Sequence, residues 1–80
     1  MEDRKTKYYI RVEVIDNPNI HLNSTLFETE EEAIKWAKHI KMLDISFSII
    51  LKSVDTFTIN GSFMFDNETK IRHLEDELGL

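Results

Sequence analysis

Ile45-Ser46-Phe47-Ser48-Ile49-Ile50-Leu51-Lys52-Ser53-Val54-Asp55-Thr56-Phe57-Thr58-Ile59-Asn60-Gly61-Ser62-Phe63-Met64-Phe65 is the stretch on which the fold turns. Apolar and polar residues alternate through much of it, as they do in strands with one buried face. Lys52 and Asp55 are its only charges. Ile45 to Ser53 reads as one strand, with Ile45, Phe47, Ile49 and Leu51 on one face, and Phe57 to Phe65 reads as the next. Asn60-Gly61 is a strong two-residue hairpin signal. A turn there, however, cuts the second strand in two and sets Thr58 opposite Phe63. A turn through Val54-Asp55-Thr56 instead pairs Leu51 with Ile59, Phe47 with Phe63 and Ile45 with Phe65. Register follows the buried face, so the prediction is the long hairpin, with Gly61 as a bulge or a gap in the face.

Upstream, Tyr8, Ile10, Val12 and Val14 alternate with Tyr9, Arg11, Glu13 and Ile15, a period of two. Asp16-Asn17-Pro18-Asn19 carries turn chemistry, and Ile20 to Phe27 follows as a second, more polar strand. Thr29-Glu30-Glu31-Glu32 is a capping box, in which the Thr29 hydroxyl accepts from the Glu32 amide. The helix it opens runs to about Leu43, with Ala33, Trp36, Ala37, Ile40 and Leu43 in one apolar stripe. Downstream, Asp66 or Asn67 can cap a short terminal helix holding Ile71, Leu74 and Leu78, with Gly79 just past its end.

Eighty residues make a single small domain, 1–80, with 1–7 as a polar N-terminal tail. The predicted fold is α+β, a two-layer ββαββ(α) arrangement. A four-stranded sheet, β-grasp-like or all-antiparallel, carries one main helix on one face and a short C-terminal helix. The element order over residues 8–65 resembles the small β-grasp domains of bacterial immunoglobulin-binding proteins, which implies a central fourth strand and an edge third strand. That resemblance carries no functional residues with it.

Cysteine is absent, which in so short a chain favours a reducing compartment, the cytoplasm. Residues 1–7 lack the apolar stretch of a signal peptide, and Ile49-Ile50-Leu51 is too short to span a bilayer, so no membrane role is expected. The formal net charge is −5. An acidic chain binds phosphate poorly, which sets direct nucleic-acid binding aside. Glycines stand only at 61 and 79, leaving no phosphate loop. Of His21, His39 and His73, only His73 has metal-ligand spacing, to Asp76 or Glu77, and no second His–acid pair completes a site, so a surface ion pair is the expectation. No nucleophile stands beside a base. The expectation is therefore no catalytic residue, no metal and no cofactor: the chain is not an enzyme.

What remains is interaction. The face turned from the helix is expected to expose Tyr9, Ile15, Phe27, Ile50 and Val54, more apolar surface than scattered residues need. Either the terminal helix folds over it, or a second chain covers it. The acid runs Glu30 to Glu32 and Glu75-Asp76-Glu77 can meet a basic protein partner, such as a nucleic-acid-binding protein. The expected interface is Tyr9, Ile15, Phe27, Ile50, Val54, Glu75, Asp76 and Glu77. In kind the chain resembles the small, acidic, cysteine-free accessory proteins of bacteria and their phages, including inhibitors of host defence such as anti-CRISPR proteins. The apolar face makes the expectation an interaction module that self-associates through its sheet, a homodimer, and the likeness implies a phage or mobile-element inhibitor of a host protein. The alternatives are a structural homo-oligomer or a nucleic-acid-associated accessory protein.

Overall fold

A computed structural model describes residues 4–40 and 47–79. Two strands, β1 (Lys5–Val14) and β2 (Asn17–Asn23), precede the helix α1 (Glu30–Lys38). Strands β3 (Phe47–Ile59) and β4 (Ser62–His73) follow it, and a four-residue helix, α2 (Glu75–Leu78), comes last. The class is α+β. The four strands form one sheet in the order β2-β1-β3-β4, and every neighbouring pair is antiparallel.

This order replaces the β-grasp expectation. β3 lies in the centre, between β1 and β4, and β4 is the edge. From Ile50 to Thr56 the nearly uncharged strand thus has a paired neighbour on each side, so it is not the edge that the β-grasp order implies. Strand β1 also starts at Lys5, inside the expected polar tail, because Lys5, Thr6 and Lys7 pair with Thr56, Asp55 and Val54.

The long hairpin turns at Asn60-Gly61, not at residues 54–56. Asn60 and Gly61 have φ of 51° and 78°, the left-handed pair that a tight two-residue turn needs. Leu51 then faces Arg72, and Thr58 does stand opposite Phe63. Mixing polar and apolar side chains matters only where a face is buried, and both Thr58 and Phe63 are exposed. Turn chemistry therefore decides the register at this end.

The terminal helix is correspondingly shorter. Residues 66–73 extend the ribbon along β3, pairing at Asp66, Thr69, Lys70, Arg72 and His73, while a helix of so few turns is marginal in water. Asn67, expected as a helix cap, instead takes φ 52° beside a register shift and donates from Nδ2 to Asp55, 3.0 Å away.

The core lies between α1 and one face of β1 and β3. Ile10, Ile49, Leu51, Leu74 and Ala33 are fully buried, with Val12 and Ala37 beside them. Tyr8, Phe27, Ile34, Trp36, Ile40, Phe47 and Leu78 close its sides. The Glu32 amide donates to the Thr29 hydroxyl at 3.1 Å, as the capping box predicts. Leu43 and Ile45, expected in the helix stripe and in the third strand, lie outside the described residues.

Candidate interaction surfaces

Alternation along β1 and β3 sends Tyr9, Ile50 and Val54 to the face away from α1, as their positions require. They are not exposed there, however: each keeps 7% or less of its surface. The register explains the cover. Lys7 stands opposite Val54, Lys52 opposite Tyr9 and Arg11 opposite Ile50. Side-chain exposures of 17%, 18% and 22% for Lys7, Lys52 and Arg11 mean that their aliphatic stems lie down over the apolar residues.

Carboxylates hold those cations in place. Lys7 pairs with Glu28, and Arg11 Nε with Glu13 at 2.6 Å. Lys52 Nζ donates to Glu68 at 2.7 Å and lies 5.8 Å from the centre of the Tyr9 ring. The Tyr9 hydroxyl donates to the same Glu68 oxygen. Burial, then the adjoining carboxylate, pushes the Tyr9 hydroxyl well above the ordinary tyrosine range. The hydrogen bonds from Lys52 and Tyr9 hold Glu68 below the usual carboxylate range.

Tyr9 and Glu68, with Ser24, Leu26, Val54 and Phe65, line an open cavity of about 260 Å³. Phe65 at its rim is 58% exposed, as is Phe63 next to it. The two rings meet edge to face, 5.1 Å between centres. The sheet face turned from α1 does carry exposed apolar surface, but on Phe63 and Phe65 instead of Tyr9, Ile50 and Val54.

The other expected interface residues divide. Ile15 is exposed at the tip of the turn between β1 and β2. Phe27 is half-buried on the helix side, tilted against Trp36 with 6.3 Å between ring centres, because an isolated bridge to Tyr8 carries it there. Glu75 accepts from the Ile49 amide at 3.0 Å, next to the bond from the Leu74 amide to the Ile49 carbonyl. Its own burial opposes its charge, but the amides of Glu75 and Ile49 and the His73 ring outweigh that and keep its carboxyl low. Glu77 takes two donors from Arg72, whose Nη1 also lies 3.5 Å from Glu30. The two acid runs, 43 or more residues apart in sequence, thus meet around Arg72. Asp76 lies exposed beside them.

A second apolar surface was not anticipated. Val12, Val14, Ile20, Leu22, Trp36 and Ile40 line a groove of about 360 Å³ between α1 and β2. Ile20 and Leu22 are 56% and 63% exposed. Their i, i+2 spacing in a stretch with no acid or lysine was the available signal.

Among the described residues no group of three or more His, Cys, Asp or Glu side chains could hold a metal ion, and no helix is long and apolar enough to cross a membrane. No protein-family model, curated protein or solved structure matches the chain.

Proposed function

We propose that the chain is a non-enzymatic protein-interaction module that associates with itself. One observation carries the reading. Eight large apolar side chains stand exposed among the described residues, and most gather at the two borders of the sheet. Ile20 and Leu22 mark the β2 border, while Ile59, Phe63, Met64 and Phe65 mark the far end of the β3–β4 hairpin. Gathered apolar surface of this kind marks sites of association.

The energetics suit a concentration-dependent complex. Burying the exposed fractions of Ile20, Leu22, Phe63 and Phe65 contributes about 4–6 kcal/mol, from which the cost of association is subtracted. Light scattering across a wide concentration range tests the reading. The expected result is a mass rising above the 9.5 kDa of one chain. A mass fixed at that value up to millimolar concentration overturns it.

A basic protein suits the acidic face. Glu30 and Glu77 converge there on Arg72, with Lys38 acting on Glu77 and Asp76 exposed next to it in the chain, so the acids outnumber the bases. Such a contact acts mainly on the association rate and weakens with salt. A complex insensitive to salt would not use this face.

A further inference from the structure

The two edges of the sheet differ in how they meet solvent. Along β4 the outer edge carries Asp66, Glu68, Lys70 and Arg72, two register shifts against β3 and the left-handed Asn67. Charge and bulges of this kind are what keep sheet edges from pairing with another chain. Along β2 the run Asn19-Ile20-His21-Leu22-Asn23 has no acid, lysine or arginine, and Pro18 and the single register shift against β1 lie at the start of the strand.

We infer that β2 is the self-association edge, joining two copies about a two-fold axis at His21 into one eight-stranded antiparallel sheet. The inference rests on the self-association proposed above and deepens it by naming the surface and the register. An interface across a two-fold must complement itself. An uncharged edge meets its own copy without repulsion, whereas the β4 edge is broken by its two register shifts and the left-handed Asn67, and its Glu68 and Arg72 are already paired with Lys52 and Glu77.

Backbone geometry fixes the register. The Ser24 amide donates to the Ile10 carbonyl at 2.8 Å, so the antiparallel alternation turns Leu22 inward to Val12 and turns the amides and carbonyls of His21 and Asn23 outward. Outward groups pair with outward groups. Centring the axis on His21 therefore sets His21 against His21 and Asn19 against Asn23 of the second copy. The same register sets Leu22 opposite Ile20 of the second copy, on the α1 side. Shifting the axis to Asn23 would put Leu22 opposite Ser24 and leave Ile20 unpartnered. The His21 Nδ1, now 3.2 Å from the Asn19 carbonyl oxygen, gives up that contact as the strands join.

The helix layer leaves room for these four side chains. Helix α1 packs mainly on β1 and β3. With strands about 4.8 Å apart, the two helices would stand roughly 19 Å apart across the axis, against about 8–10 Å for helices in direct contact. The trough between them is one side-chain layer from each copy in width. Ile20, Leu22 and Trp36 already border it.

The chain has no cysteine, so single-cysteine variants report the register. In the proposed pairing the two copies of residue 21 have Cα atoms about 5.5 Å apart, inside the disulfide range of about 4.4–6.8 Å. The two copies of residue 23 stand about 14 Å apart. Mild oxidation should convert His21→Cys to a covalent dimer and leave Asn23→Cys uncoupled, while Leu22→Glu, at an exposed position, should return the mass to that of one chain with an unchanged circular dichroism spectrum. Equal coupling of the two cysteine variants, no coupling of His21→Cys, or a dimer that survives Leu22→Glu each overturns the inference. If Phe63→Lys dissolves the dimer and Leu22→Glu does not, self-association stands and the β2 assignment falls. If the unmodified chain never dimerises, both fall.

Discussion

Replacing Tyr9 by Phe should exchange stability at neutral pH for stability at high pH. The Tyr9 ring is buried, and its hydroxyl donates to Glu68, which Lys52 also holds. A hydrogen bond to a charged acceptor contributes about 1.5–3 kcal/mol. Here Glu68 keeps Lys52, and its side chain is 52% exposed, so after screening the loss at pH 7 is about 1 kcal/mol. At high pH the sign reverses. The folded protein holds the Tyr9 hydroxyl protonated well beyond the ordinary range, whereas the unfolded chain ionises near pH 10. The stabilisation from the raised pKa is thus complete below about pH 10 and is lost as the pH rises towards the folded value. Each unit above costs at most about 1.4 kcal/mol, and about 1 kcal/mol once the solvent near Glu68 is allowed for. Tyr9→Phe has no such proton to lose. Set against a total of about 4–12 kcal/mol for 80 residues, the difference is measurable. Urea titrations followed by fluorescence of the single tryptophan, Trp36, at one fixed chain concentration would give both curves. They should start about 1 kcal/mol apart at pH 7 and meet near pH 11. Parallel curves from pH 9 to 11 would refute the coupling of Tyr9 to Glu68.

Leu74 is fully buried at the end of β4, and Leu74→Ala should cost about 2–5 kcal/mol in urea denaturation; a loss under 1 kcal/mol would mean that the C-terminal segment does not seal the core. Gly61 has φ 78° and open space around its Cα, so Gly61→Ala should cost about 1–2 kcal/mol through the backbone alone, read as a lowered midpoint with an unchanged near-ultraviolet spectrum. The Glu75 carboxyl is held low in the fold, so its contribution is present above the ordinary carboxylate range and is lost as the pH falls through the folded value. Glu75→Gln should therefore be less stable than the parent at pH 7, and should lose less than the parent between about pH 5 and 3.

The parts of the fold legible from sequence were those where local chemistry and burial agree. Thr29 with Glu32, followed by Ala33, Trp36 and Ala37, specified a capped helix and its buried side. Tyr8 to Val14 specified a strand and its faces. Where the two signals conflicted, at Asn60-Gly61, the burial argument was applied to a ribbon end that has no buried side, and the turn residues decided instead. Strand order was not legible, because alternation records which residues share a face and not which strand lies alongside. For the candidate surface, the face turned from α1 was correctly identified for Tyr9, Ile50 and Val54. Their cover was missed because Lys7, Arg11 and Lys52 read as solvated charges, although the register lays their stems on those neighbours. The role of Glu75 could not be read at all, since its partner, the Ile49 amide, is 26 residues away.

The β3–β4 ribbon outruns the rest of the sheet. Beyond Thr56 β3 pairs with β4 alone, and Phe57, with the Arg4 guanidinium 4.4 Å from its ring centre, is the last buried side chain before the turn. Two strands alone are marginally stable in water. The turn end can therefore melt and re-form without disturbing Ile10 or Ile49, and its amides should trade hydrogen for deuterium orders of magnitude sooner than those of the core. Phe63 and Phe65 thus stand on a two-stranded extension of the sheet, where a bound partner would add order without touching the core.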